Sequence, residues 1–208
     1  MSKPSLILVG AGGHAGACLD VIEQLDAFHI AGLIGTEAEL HNEYMGYLII
    51  GVDRDLTALA EQYSHAIITV GQIESAEIRQ RLFEQAVVAG FQMPVIVSPR
   101  AYVSKHAIVG AGTLIMHGAI VNAGAKIGKN CIINSRSLIE HDASVADNCH
   151  ISTGAIVNGA ATVGAGSFVG SGSVIKQGVI LGRNCLVGMG IAVRYHYADN
   201  AKILTGSK

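Results

Sequence analysis

The chain has 208 residues, a formal net charge of −2 and only 14% charged side chains, while 26 of its residues are glycine and 50% are hydrophobic. No run of lysine and arginine draws it to a nucleic acid or an anionic membrane surface. The length allows one large domain or two modest ones, and four cysteines in no metal-ligand or disulfide-framework spacing favour a reduced, cytoplasmic chain.

In chain order, Leu6–Val9 reads as a short apolar strand, and Gly10 to Gly13 as a tight turn. Lys3 followed by so short an apolar run does not make a secretory leader. Ala15–Leu25 is predicted as a helix with Cys18, Leu19, Ile22 and Leu25 as its apolar stripe. Ile30–Ile34 and Ile67–Val70 read as strands, Leu48–Ile50 as a weaker one, and Asp55–Gln62 and Ala76–Ala89 as amphipathic helices, the last capped by Gly90. Gln92–Val97 is predicted as a final strand before Pro99. Strands alternating with helices imply a parallel sheet, so residues 1–97 form a small α/β, Rossmann-like domain.

From Val103 to Val193 the pattern changes. An apolar residue recurs at every sixth position without a break: Val103, Val109, Ile115, Val121, Ile127 and onward to Val187 and Val193. Four residues after most of these comes a small side chain, such as Ala107, Ala119, Ala125, Cys131, Ala143 and Cys149. A six-residue period fits neither a helix nor a strand alternation; it marks a parallel β-helix of hexapeptide turns. Three hexads make one triangular coil, so Val103–Ala192 gives five coils stacked to a height of roughly 24 Å. Residues 98–208 are therefore an all-β domain in which residues 194–208 lose the period and cap the end. The uncharged stretch 151–175 has the length of a membrane span, but its hexad rhythm and its Asn, Ser, Thr and Gly residues argue for solenoid instead. Cys131, Cys149 and Cys185 take the small inward position, and Asn130, Asn148 and Asn184 before them fit corners with left-handed backbone angles.

Three features bear on chemistry. The turn Gly10-Ala-Gly12-Gly13-His14-Ala15 would let a phosphate approach the backbone at a helix N-terminus. The acid that a nicotinamide dinucleotide site needs after the second strand is replaced by Gly35-Thr36, which favours a nucleotide-sugar diphosphate or another phosphate over NAD. In Ile139-Glu140-His141-Asp142, Asp142 can orient the imidazole and raise its basicity, and Gly159, one coil on, would leave room above it. His150 follows His141 by half a coil, so the two point from opposite sides of one prism and meet only across neighbouring chains. His106, His117 and His196 have no acidic neighbour in sequence and are left without a role; no metal set stands out.

Taken together, Val9-Gly-Ala-Gly-Gly-His14, the hexapeptide run, and Ser137-Leu-Ile-Glu-His-Asp142 followed by His150-Ile-Ser152 resemble the PglD/NeuD-like bacterial sugar acetyltransferases. The resemblance covers nearly the whole chain. It implies a left-handed β-helix, a homotrimer with inter-subunit sites, and acetyl transfer from acetyl-CoA to the amine of a nucleotide-linked sugar. His141 would be the general base, assisted by Asp142 where relatives usually carry Glu. His150 would contact acetyl-CoA, with Ser171, Gly188, Met189 and Gly190 along the groove between prisms. Gly12, Gly13 and His14, with Gly35, Thr36 and Gly71, would hold the nucleotide-sugar. The chain departs from the family at Gly35-Thr36, where relatives often carry an Asp pair, and at its end, where Leu204-Thr-Gly-Ser-Lys208 replaces Gly-Val-Pro-Ala-Lys. O-acetylation of a sugar hydroxyl and a non-catalytic nucleotide-binding scaffold are the alternatives.

Overall fold

The computed structural model describes residues 3–205; Gly206, Ser207 and Lys208, the end of the expected cap, lie outside the described residues. The N-terminal unit comprises β1 (Ser5–Val9), α1 (Gly13–Leu25), β2 (His29–Gly35), β3 (Glu43–Tyr44), β4 (Tyr47–Val52), α2 (Leu56–Ala60), β5 (His65–Ile68) and α3 (Glu77–Ala89). The sheet order is β3-β4-β2-β1-β5, parallel except where β3 runs against β4. The weak strand around Leu48–Ile50 is thus a full member, built out to Tyr47–Val52. From Leu6 to Val9, β1 is apolar because both of its faces are covered. Leu6 and Leu8 face α1, while Ile7 and Val9 face Leu56 and Leu59 of α2 and Leu82 and Ala86 of α3. Gly90 ends α3 in the left-handed conformation, with φ 102°.

Gln92 still bridges to His65, but Ile96–Val97 pairs with Leu114–Ile115. The stretch expected as one last strand is therefore divided, and its second half is the first rung of the solenoid. Two-residue rungs then build three parallel faces. One face has seven strands, from Ile96–Val97 to Lys202–Ile203; one has six, from Tyr102–Val103 to Ala192–Val193; one has five, from Ile108–Val109 to Ile180–Leu181. The hexad residues from Ile115 to Val193 and the small residues beside them form one continuous buried core. No coil buries its apolar face alone, so the stack is the unit of stability. All four cysteines are free and buried, and the Cys131 and Cys149 thiols donate to the carbonyls of Ala146 and Gly164.

The corners show a regularity that the apolar pattern does not reveal. Every sixth residue from Gly112 to Gly190 has a positive φ, and the non-glycine members are Asn130, Arg136, Asp142, Asn148, Ala160 and Asn184. The end of the solenoid also differs from expectation. Residues 194–205 do not simply lose the repeat: Tyr197 bridges to Leu181 and Lys202–Ile203 pairs with Leu186–Val187, at a spacing of 16 instead of 18. A shortened coil closes the core, with Ile203 buried over Val187.

The N-terminal unit docks on the seven-stranded face. Leu114, Met116 and Ile132 share one buried cluster with Ala15, Cys18, Leu19 and Ile22 of α1. On α3 the Arg79 guanidinium is buried and donates to the carbonyls of Asn130 and Asn148 and to the Gln72 side chain. His117, which has no acidic neighbour in sequence, bridges the units: Nε2 lies 2.7 Å from Asp20 Oδ2 on α1, and Nδ1 lies 2.6 Å from Ser98 Oγ. Its acidic partner is 97 residues away, so a search of sequence neighbours misses it.

Candidate active site

A cavity of about 650 Å³ opens where the glycine turn, the ends of β2 and β5 and the seven-stranded face converge. Gly12, Gly13, His14, Gly35, Thr36 and Gly71, all expected to hold a nucleotide-sugar, line it together. Gly10 lets the turn pass close to the next strand end. It has φ 122°, and a Cβ there would lie 2.7 Å from Val70 Cγ2. The Thr69 hydroxyl donates to the Gly10 carbonyl at 2.7 Å and fixes the turn from behind.

The cavity also recruits two acids that the motif reading overlooked. Glu39 and Asp53 line it together with Thr36. One Glu39 oxygen accepts from the Thr36 amide at 2.8 Å and from its hydroxyl at 2.7 Å, and these bonds hold the carboxyl below its ordinary pKa. The acid missing from the position after β2 is thus supplied from three residues further on. Thr36-x-x-Glu39 is a sequence signal for such a turn.

His150 forms part of the cavity wall, where its ring centroid lies 6.3 Å from that of His14. It is 7% exposed, because the face that carries it is the docked one. Nδ1–H donates to the Gln72 carbonyl at 2.8 Å, and Nε2 accepts from Asn134 Nδ2 at 3.1 Å. Burial, reinforced by the nearby Arg79, holds both His14 and His150 at a pKa of about 4, so both are neutral near pH 7. The structure therefore groups His150 with His14 and the glycine turn. Ser171, Gly188, Met189 and Gly190 lie on the edge between the seven- and six-stranded faces, where the Gly190 amide bonds the Ser171 carbonyl and Ser171 Oγ meets Ser152 Oγ at 2.9 Å.

His141 stands elsewhere, on the edge between the six- and five-stranded faces, opposite the docked face. Its side chain is 60% exposed and that of Asp142 is 69%. Nδ1 lies 3.0 Å from Asp142 Oδ2. Adjacent residues make this bond because Asp142 occupies a left-handed corner, φ 59°, which turns its carboxylate back toward the ring. That hydrogen bond raises the His141 pKa above the usual imidazole value. Glu140 is a second brace, accepting from the His141 amide at 3.2 Å and from Asn122 Nδ2 at 2.9 Å. The space above Gly159 is not an open vestibule. The His141 ring fills it, with Nε2 2.7 Å from where a Cβ on Gly159 would sit. Small residues on stacked coils let a long side chain lie along the prism, which corrects the expectation of free room there.

Comparison with known proteins bears on both halves. The family model described as "PglD N-terminal domain" matches residues 5–86. Those described as "Bacterial transferase hexapeptide (six repeats)" and "Hexapeptide repeat of succinyl-transferase" match residues 106–141 and 161–194. No curated protein sequence matches the chain. Among solved structures, the acetyltransferase domain of PglB from Neisseria gonorrhoeae FA1090 in complex with acetyl coenzyme A is 26% identical, with a TM-score of 0.88 over 97% of this chain and 96% of that one. A variant of perosamine N-acetyltransferase from Caulobacter crescentus, in complex with CoA and GDP-perosamine, is 26% identical with a TM-score of 0.90 over 97% and 93%. WeeI from Acinetobacter baumannii AYE, 20% identical over 97% of each chain with a TM-score of 0.85, shares the fold.

Proposed function

We propose that this chain, a PglD-type N-terminal domain joined to a hexapeptide-transferase solenoid, is an acetyl-CoA-dependent N-acetyltransferase acting on the amine of a nucleotide-linked amino sugar. The observation that carries this is the exposed His141–Asp142 pair. Asp142 takes Nδ1–H, so Nε2 is the free, basic nitrogen, and it faces out over a glycine. The relatives that share this architecture at 26% identity were solved with acetyl-CoA, or with CoA and GDP-perosamine.

The acceptor's nucleotide sits in the cavity of the glycine turn, with phosphate at the α1 N-terminus and hydroxyl or base groups toward Glu39 and Asp53. Its amine, delivered as the free base, attacks the thioester carbonyl. The new N–C bond forms as the C–S bond breaks, His141 Nε2 takes the proton lost by the amine, and the thiolate of CoA leaves and is protonated. Asp142 stabilises the imidazolium. No acyl-enzyme is required.

The cavity lies on one face and His141 on the opposite edge, so one chain does not bring amine and base together. A homotrimer solves this by presenting the His141 edge of one prism to the cavity of its neighbour. Two soluble cosubstrates of this kind place the reaction in the cytoplasm. No helix among the described residues is long and apolar enough to cross a membrane.

The test is thiol release from acetyl-CoA against a panel of sugar nucleotides carrying either a free amine or only hydroxyls. Release with amine-bearing members alone supports the proposal. Release with hydroxyl members alone assigns O-acetylation, and release with none leaves a binding scaffold.

A further inference from the structure

We propose that Arg136 of one prism forms an ion pair with Asp142 of the partner subunit, so that the acid holding His141 is itself held by the neighbouring chain. The inference rests on the shared-site homotrimer above and adds the residue by which one copy completes the other's His141–Asp142 pair.

Arg136 is out of place by local criteria. The left-handed corners from Gly112 to Gly190 carry glycine, asparagine or aspartate at every position except Arg136 and Ala160. A long side chain at φ 57° is strained, and such residues persist where something else compensates them. Yet Arg136 is exposed and forms no ion pair with any described residue. Its stem lies down the prism, with Cγ 3.3 Å from where a Cβ on Gly118, one coil below, would sit.

Asp142 has the same form one hexad further on. Its corner has φ 59°, and its carboxylate likewise lies down the prism, in the place a Cβ on Gly124 would take. Oδ2 faces His141 Nδ1, while Oδ1 has no hydrogen-bond partner among the described residues. Gly118 and Gly124 are successive corners, so the cation and the acid hang at heights within about 2 Å of each other.

The two corners flank one rung, Leu138–Ile139, of the six-stranded face. The outward residues of that face are Tyr102, Ile120, Leu138, Ile156, Val174 and Ala192. All are apolar, and none joins a buried cluster of the described residues. A continuous apolar outer face is a surface for association. Three copies with this face turned to a common axis set the Arg136 edge of each against the His141 edge of the next. An axis along the prisms preserves height, so Arg136 meets the partner's Asp142. The guanidinium takes the free Oδ1, Oδ2 keeps His141, and the order Arg–Asp–His runs across the interface.

Sedimentation of the full chain over a dilution series tests this through a charge exchange. R136D and D142R each oppose like charges at all three contacts, and each is expected to raise the dissociation concentration about 100-fold. R136Q, which removes only the charge, should raise it about tenfold. The double variant R136D/D142R restores opposite charges and should return to within about tenfold of wild type. Both exchanged residue types already occupy left-handed corners of this solenoid, and a thermal melt checks that each variant is folded. A double variant that dissociates as readily as the two single effects combined overturns the pair. So does an R136D chain with unchanged assembly and a selective loss of GDP affinity, which would assign the cation to a ligand phosphate. A wild-type chain that stays monomeric throughout overturns the homotrimer and the pair with it. No arm reads turnover, so failure of the pair is distinct from failure of acetyl transfer, which thiol release reports.

Discussion

The imidazole of His141 occupies the volume that a side chain at position 159 would need: Nε2 lies 2.7 Å, and Cε1 2.8 Å, from the ideal Cβ position of Gly159. The glycine is thus part of the seat of the proposed base although it carries no functional group. Gly159 has no left-handed φ, so its backbone accepts alanine. Gly159→Ala should therefore leave the fold intact and push the ring off its seat. Turnover is expected to fall about 100-fold, the cost of misplacing a reacting group by about 1 Å, while the melting temperature stays within a few degrees. Steady-state kinetics with a thermal melt on the same sample checks both.

Asp142 should reveal itself in the pH profile. The proposed base, His141, must be neutral to accept a proton, and the bond to Asp142 raises its pKa above the ordinary imidazole value. Activity should therefore rise with pH through a limb above that value. Asp142→Asn keeps a residue that tolerates the left-handed corner but loses the charge. The limb in kcat/KM should move to lower pH, and the plateau should drop. An unshifted limb would mean that Asp142 does not act on the base.

The buried histidines predict a stability profile of definite sign. His14 and His150 titrate at about 4 in the folded chain and near 6.5 when unfolded. The unfolded chain therefore takes up protons first as pH falls, so the stabilisation is complete above pH 6.5 and is lost progressively toward pH 4. Each histidine contributes up to about 3 kcal/mol of that loss. Urea midpoints measured from pH 7 to pH 4 should show the slope, and His150→Gln should make it shallower.

Arg79 is the strut between the two units. Its buried guanidinium serves two carbonyls and one side-chain amide of the chain. Arg79→Ala strands those acceptors and should cost about 3 kcal/mol or more. The expected signature is loss of a single cooperative melt in favour of two transitions, as the N-terminal unit separates from the solenoid.

The hexad was legible in the sequence because each coil repeats one physical requirement, an inward apolar residue at fixed spacing. Leu6–Val9, the glycine turn and α1 were legible for the same kind of local reason. What escaped was long-range. Glu39 enters the cavity because Thr36 folds it back, and Asp20 meets His117 across the domain interface. The burial of His150 escaped because an outward solenoid position looks solvent-facing when coils are considered alone. A signal was present: its column continues Leu114 and Ile132 below and Phe168 and Leu186 above, an apolar stripe on an outer face, which marks a covered one. The His141–Asp142 contact was legible because the two residues are contiguous in sequence, as is the left-handed corner that makes it.

The most direct test of transfer between a cavity on one chain and a base on the next is complementation. His141→Ala removes the proposed base, and Gly71→Phe fills the cavity from a position whose backbone accepts a side chain. Each variant alone should be inactive in thiol release. Co-expressed and purified as mixed oligomers, they should recover a substantial fraction of wild-type activity, because some interfaces then pair an intact cavity with an intact His141. Mixed oligomers that remain as inactive as either parent would contradict a shared site.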